Sequence, residues 1–466
     1  MATLSIRDTL IQLLYLAAAI LFVQGLRGLG AAKSARRGIL YAEIGMLFAV
    51  IGTLLHNDII SYQWILIGLI AGSAIGTMMG LWIPMTKMPE RIALSHAFGG
   101  IAVALVGIVE YIEHMDLMRE STLHITATGL EVGLGALTFT GSLMAFGKLQ
   151  GVITGKPVTF PGQNASNGLL IAVTLGLIGY LIYSPDSAWA FYAIVVLGTV
   201  LGVSLVLPIG GADMPVVICL LNSYAGLAAA ATGFALKNNV LIICGALDGG
   251  SGFLLGMMMS KAMNRSFTNV LFGAFGATPE AAAATAGGGP APNVGTIDDS
   301  VEVLKSARSL IVIPGYGMAV SQAQHAVRDL AAALIAQGTS VRYAIHPVAG
   351  RMPGHMNVLL AEANVPYDQL YDLDLINDEF TTVDVALVVG ANDVVNPAAR
   401  NNKQSPIYGM PILNADLARS VIVLKRSLNP GFAGIENELF VRPNTMLVLG
   451  DAKRTILSFT AGLKAS

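Results

Sequence analysis

Ser309-Leu-Ile-Val-Ile-Pro-Gly-Tyr-Gly-Met-Ala-Val (309–320) decides the fold of the C-terminal part of the chain. Its first residues form a β-branched apolar run, as a buried strand requires. Gly315 and Gly317 end the run. Ala323 to Gln337 then repeats apolar residues at helical spacing, and Ser340 to His346 is a second strand. Strand, glycine turn, helix and strand form the βαβ setting that gives a G-x-G motif meaning. Gly315 makes the tight turn, Gly317 lets backbone approach a pyrophosphate, and the helix amino terminus faces the phosphates. The third fingerprint position is Val320, not Gly or Ala, and a structural turn in another kind of α/β domain is the alternative.

Downstream, Thr382–Gly390 (TVDVALVVG), Ser420–Leu424 and Thr445–Leu449 are nearly continuous apolar runs. Central parallel strands read this way. Polar or glycine-rich stretches follow them: Gly390-Ala391-Asn392-Asp393, Lys425-Arg426-Ser427 and Gly450-Asp451-Ala452-Lys453. Ligands of open α/β sheets bind at such carboxyl ends, so the loops converge on one nucleotide site. An NAD site usually places an acid after the second strand, where this chain has His346-Pro-Val. Lys425 and Arg426 are suited to a 2′-phosphate, which favours NADP, although a solvated basic pair reads the same way.

Upstream the composition changes. The chain has 466 residues, 54% hydrophobic and 12% charged, with mean hydropathy +0.66. Soluble domains carry about 25% charged residues, so disorder is excluded and an ordinary cytosolic enzyme is disfavoured. A net charge of -2 gives no reason to expect nucleic acid. Cys219 and Cys244 lie in apolar runs and support neither a disulfide framework nor a zinc cluster. The last 201 residues hold 31 charges against 25 in the first 265. Three parts follow: a membrane domain over 1–265, a linker over 266–297 and a nucleotide domain over 298–466. The linker contains Ala277–Thr296, whose small residues and prolines build no core and read as a flexible tether.

A membrane span needs about 20 mostly apolar residues. Nine candidates lie near 9–27, 38–55, 63–83, 92–112, 124–146, 167–184, 188–207, 215–236 and 239–260. With the loop after the first span in the cytoplasm, ten Lys and Arg fall inside and three outside. The amino terminus is then outside and the C-terminal domain cytoplasmic. Small residues such as those of 68–77 let helices approach closely. Ionisable and polar groups at membrane depth are candidate functional groups. His96 suits proton transfer, or is a neutral histidine hydrogen-bonded between helices. Asn222 orients a histidine or water, or joins two helices. Glu131 and Asp248 are neutral acids or relay members. Glu43 and Glu110 lie nearer span ends, within reach of the interface. Asp213 caps a helix or touches the soluble domain. His56, His114 and His124 fall in or beside outer loops and read as solvated.

Long strings make the resemblance specific: Thr138-Phe-Thr-Gly-Ser, Gly210-Gly-Ala-Asp-Met-Pro-Val-Val, Leu221-Asn-Ser-Tyr, Lys261-Ala-Met-Asn-Arg-Ser-Phe, Pro314-Gly-Tyr-Gly-Met-Ala-Val and His346-Pro-Val-Ala-Gly-Arg-Met-Pro-Gly-His-Met-Asn-Val-Leu-Leu-Ala-Glu-Ala. Over nearly its whole length the chain resembles the beta subunit of the bacterial proton-translocating NAD(P) transhydrogenases. The resemblance implies a multi-span helical membrane domain followed by a Rossmann-like NADP(H) domain, in the bacterial inner membrane. It implies an alpha subunit carrying NAD(H), paired alpha–beta units, and hydride transfer from NADH to NADP+ coupled to proton entry. His96 would be the membrane histidine, with Asn222 and Ser142 beside it. Asp213 and Arg265 would lie where the two domains meet. Gly315, Tyr316, Gly317, Met318, Ala319 and Val320 would form the pyrophosphate turn, and Ala349, Gly350 and Arg351 would line the cofactor. Gly390, Ala391, Asn392 and Asp393 would lie near the nicotinamide ribose, with Asp393 a coupling residue. Lys425, Arg426 and Ser427 would meet the 2′-phosphate. Gly431–Asn437, including Gly434, would be a lid, and Gly450, Asp451 and Ala452 would finish the adenosine site. Two departures stand out. Members of the family can carry a glutamate shortly after the histidine that opens span five, whereas this chain has Glu131, seven residues after His124. Asp248 stands where an apolar residue is expected. A transporter with a nucleotide-sensing domain would share the gross layout, and a partner bearing an NAD(H) site discriminates the two.

Overall fold

The computed structural model describes residues 6–30, 32–56, 61–155, 157–211, 213–264, 267, 292–405, 407–431 and 433–464. Nine helices among them are long and apolar enough to cross a membrane, as the sequence predicts. They are α1 (Ile6–Leu29), α2 (Ala32–Leu54), α3 (Gln63–Trp82), α4 (Met88–Glu113), α6 (Thr122–Gln150), α7 (Gln163–Tyr183), α8 (Ala188–Val206), α9 (Met214–Ala235) and α10 (Asn239–Ala262). A short helix, α5 (Met115–Glu120), folds between α4 and α6. Arg265 and the tether as far as Ala291, except Phe267, lie outside the described residues.

α6 and α9 are the most buried spans, and α3 has no buried residue. Glycine sets the closest approaches. A Cβ on Gly226 of α9 would lie 2.2 Å from the Gly249 nitrogen, and one on Gly245 of α10 would lie 2.4 Å from the Ala230 nitrogen. Backbone therefore packs on backbone where α9 and α10 cross. The glycines of 68–77 were expected to pack in this way. Gly68, Gly72 and Gly76 instead have nothing within 4 Å, because their helix faces away from the rest of the chain.

The C-terminal part is a six-stranded parallel sheet. Its strands are β1 (Ser309–Pro314), β2 (Ser340–Ile345), β3 (Leu370–Asp372), β4 (Val385–Val389), β5 (Ser420–Lys425) and β6 (Thr445–Leu449). The order β3-β2-β1-β4-β5-β6 reverses between β1 and β4, and that reversal opens a crevice at their carboxyl ends. The helices are α11 (Ile297–Ser306), α12 (Tyr316–Val320), α13 (Gln324–Ala336), α14 (His355–Glu362), α15 (Leu373–Ile376), α16 (Ala398–Asn401) and α17 (Ala452–Lys464). One sheet face is covered by α11, α13, α14 and α17, through Leu304, Leu330, Leu359 and Phe459. Ile376, Phe380, Leu413 and Phe440 cover the other. Both faces are thus buried, which is why the strands read as continuous apolar runs. Asn293 and Gly295 flank Leu447 of β6 with hydrogen bonds of 2.8 and 2.9 Å.

The helix expected over Ala323–Gln337 is α13, and the glycine turn before it holds a short further helix, α12, that was not foreseen. Gln322, at φ +50°, breaks α12 from α13. β3 was not foreseen, since a three-residue edge strand leaves too short a pattern to read.

Candidate functional site

The crevice is built on backbone contact. Gly315 N–H donates to the Val389 carbonyl and Gly317 N–H to the Gly390 carbonyl, both at 2.9 Å. A Cβ on Gly315 would lie 2.4 Å from Ala391 Cα, and one on Gly317 would lie 2.7 Å from Gly390 Cα. Gly390 itself has φ +67°, which favours glycine. The two glycines thus lock the β1 turn onto the β4 turn. No side chain caps the start of α12; Gly317 N–H is taken by Gly390, and Met318 N–H donates to the Gly315 carbonyl at 3.0 Å. Met318 and Ala319 point into the core. Val320 is 47% exposed. With the helix broken just beyond it, nothing packs closely there, so a small third fingerprint residue is not needed.

The ends of β4 and β5 meet above this turn. The Ala433 N–H donates to Asp393 Oδ2 at 3.0 Å, and the Gly431 backbone presses on the same carboxylate, where a Cβ would come within 2.5 Å. Oriented to suit its neighbours, the Asn392 amide oxygen accepts from Lys425 Nζ at 3.3 Å and from Gly431 N–H at 2.7 Å. Asn437 Nδ2 donates to the Asn392 carbonyl at 3.0 Å. Lys425 Nζ also donates to the Asn429 carbonyl and lies 4.8 Å from the centre of the Phe440 ring. Burial pushes its ammonium down, while the nearby Asp393 charge opposes that shift. The segment around Gly431–Asn437, with Gly434 at φ +70°, is thereby folded over Asn392 and Asp393. Arg426 and Ser427 are exposed at the end of β5. Asp451 accepts from Arg454 N–H at 3.1 Å and so caps α17, where Ala452 begins. Gly450, at φ +157°, turns the chain into that cap.

Ala349, Gly350 and Arg351 lie on the loop from β2 to α14. Gly350 has φ +113°, and a Cβ there would strike His355 at 2.6 Å. The Arg351 guanidinium lies over the Tyr316 ring, 4.3 Å from its centre. It donates to the Leu149 carbonyl at 2.8 Å and lies 4.0 Å from Glu90 Oε1. Burial raises the Tyr316 hydroxyl, against the Arg351 charge. Arg351 therefore joins this crevice to the start of α4 and the end of α6. Asn264 adds a second link, donating to the Tyr408 carbonyl at 2.7 Å.

Deeper among the spans, His96 of α4 borders Asn222 of α9 and Asp248 of α10. Asn222 Nδ2 donates to Asp248 Oδ1 at 2.9 Å. Ser142 is fully buried on α6. Asp213 is buried at the start of α9, and its side chain makes no cap hydrogen bond. Asp248 joins the His96 cluster, a placement that hydropathy alone could not give. His124 and Glu110 correct an expectation. Neither is a solvated or interfacial group: both are buried, with His124 Nε2 3.0 Å from Glu110 Oε1. Beside them Met118 of α5 is buried in one cluster with Tyr111 of α4 and Ile125 of α6. Among the described residues no group of histidines, cysteines and acids could hold a metal ion.

The family model for the NAD(P) transhydrogenase beta subunit matches residues 11–461. The chain belongs to that family. NAD(P) transhydrogenase subunit beta of Rhodospirillum rubrum is 48% identical over 446 residues, covering 94% of this chain and 96% of the relative. A second Rhodospirillum rubrum sequence of that name matches equally. As a transhydrogenase beta subunit the chain is part of an oxidoreductase, and its nine apolar helices make it a membrane protein.

Proposed function

We propose that this beta subunit binds NADP(H) in the crevice between β1 and β4 and faces an alpha subunit that carries NAD(H). Hydride transfer from NADH to NADP+ would be coupled to proton movement through the helices, with the C-terminal domain in the cytoplasm of a bacterium. The complex would pair two alpha–beta units in the inner membrane. One observation supports the cofactor reading above the rest: the glycine turn lies at the strand-order reversal, packed on the β4 turn that leads into Asn392 and Asp393. The residues fit the group. Gly315 and Gly317 let the β1 turn pack directly on Gly390 and Ala391, which keeps bulk out of the crevice floor. Lys425 with Arg426, at the end of β5, suits a 2′-phosphate.

Bound NADP(H) supplies the carbon that accepts or gives hydride. The chain's task is then to position that ring and exclude water, with the 431–437 segment as cover. No side chain need act as a base at the transfer. In the membrane, His96 is the group that holds a proton, while Asn222 and Asp248 orient it. Arg351 reaches from the crevice to Leu149 and Glu90, so domain position and cofactor grip share one side chain. His96 protonation would drive coupling by favouring one of two arrangements of that contact.

Replacing both Lys425 and Arg426 by alanine tests the cofactor site in the assembled enzyme. Loss of charge-assisted contacts should weaken NADP+ binding roughly 10- to 100-fold, with NADH binding unchanged. Unchanged NADP+ affinity by titration calorimetry removes the pair from the site.

A further inference from the structure

One face of α6 carries a line of polar groups. His124, Glu131, Thr138 and Ser142 are spaced by 7, 7 and 4 residues. At 3.6 residues per turn they stay within about 40° of one another. None is more than 4% exposed. Both Glu131 oxygens, Thr138 Oγ1 and Ser142 Oγ lack a hydrogen-bond partner, and so does His96 Nδ1. The Thr232 hydroxyl borders Glu131 but gives its proton to the Ala228 carbonyl at 3.1 Å. Each orphaned buried group costs about 1–3 kcal/mol, so four residues of this kind along one stretch of the bundle call for a function.

The register of α4 on α6 extends the line. A Cβ on Gly107 would meet the Glu131 side chain at 3.0 Å, and one on Gly100 would meet Thr138 at 3.1 Å. The two helices run antiparallel, so the same register puts His96 level with Ser142. At the other end Glu110 bridges two histidines. It meets His124 Nε2 at 3.0 Å through Oε1 and His114 Nδ1 at 3.0 Å through Oε2. The His114 side chain is 49% exposed, at the mouth of the bundle. Glu110 is the other acid near Glu131. From α9 the polar neighbour is Thr232, while α7 and α8 present Ile178 and Ile194 to this part of α6. At the His96 end the charged group is Asp248.

We infer that this line is the outer half of the proton route, with His114, Glu110 and His124 as its entrance and Glu131 as the relay that feeds His96. The inference rests on the proton-translocation reading above. A proton would pass from the Glu110–histidine cluster to Glu131, leave it for the Thr138 and Ser142 hydroxyls, and reach His96 Nδ1. Each group returns to its starting state once per turnover. Glu131 and Ser142 are about 16 Å apart along the helix, so bridging waters must join the hydroxyls when the route conducts.

The test uses inverted vesicles holding the complete alpha–beta enzyme, following hydride transfer from NADH to an NADP+ analogue and proton movement with a pH-sensitive dye. Glu131→Gln should lower both at least tenfold and leave NADP+ affinity within twofold. Glu131→Asp should recover part of the rate with a displaced pH optimum, which a packing role would not produce. Should Glu131→Gln fail to assemble, the shape-preserving Thr138→Val carries the test and should slow both several-fold. Wild-type rate and proton yield in either variant, with His96→Ala inactive, overturn the outer route alone. Hydride transfer by the wild-type enzyme without proton movement overturns the translocation reading and this inference with it.

Discussion

At the scale of single residues, two buried histidines hold the β2–α14 corner. His346 Nε2 donates to the Pro411 carbonyl at 2.8 Å, and Nδ1 accepts from Val348 N–H at 3.2 Å. His355 Nδ1 accepts from Arg351 N–H at 3.1 Å. Burial pushes both down to about 4, aided at His355 by the Arg351 charge. The unfolded chain takes up protons at its ordinary value of about 6.5, which the folded chain refuses. Stability contributed here is therefore complete above about pH 6.5 and falls as pH drops toward 4, by on the order of 3 kcal/mol per histidine. Protection of β1 and β2 amides in the full chain, referred to the intrinsic exchange rate at each pH, should fall markedly from pH 7 to pH 4.5. A flat profile contradicts this. The sequence shows His346 where an NAD-specific acid is expected, but not that the histidine is neutral and spent on loop carbonyl and amide contacts. Likewise His96 and Asn222 stand out as polar groups in apolar runs. Asp248 does not disclose its partner, because periodicity gives a face of α10 and says nothing about which neighbour meets it.

At the scale of elements, apolar runs of the right length make all nine spans legible, and continuous apolar runs make five of the six strands legible. The short α12 is not, since five residues ended by Gln322 at positive φ are too few to show a helical period. Glycine patterns alone mislead about packing: the stretch at 68–77 and the α9–α10 crossing are both glycine-rich, and only the second is in contact. Gly226→Leu would force those backbones apart, costing about 1–3 kcal/mol or more. Gly72→Leu on α3 meets open space. Thermal unfolding of the detergent-solubilised subunit should drop by several degrees for the first and stay unchanged for the second. Equal effects would show that this crossing is not the tight contact described.

At the scale of the whole molecule, charge density divides the chain into a helical membrane part and an α/β sheet part, and the resemblance over nearly all its length is borne out by the family match. How the parts touch is not legible. Arg351 has the sequence context of a cofactor-binding loop, yet its guanidinium also reaches the Leu149 carbonyl and Glu90. Such long-range contacts leave no local pattern. They give the coupling proposal its physical form: His96 lies among helices whose ends at Glu90 and Leu149 hold the loop beside the β1–β4 crevice. The most direct test is proton movement during hydride transfer from NADH to an NADP+ analogue, measured in inverted vesicles with wild-type enzyme and His96→Ala. The coupling account predicts that the variant loses at least tenfold in both while binding NADP+ within twofold of wild type. Full-rate, fully proton-coupled transfer by His96→Ala would contradict it.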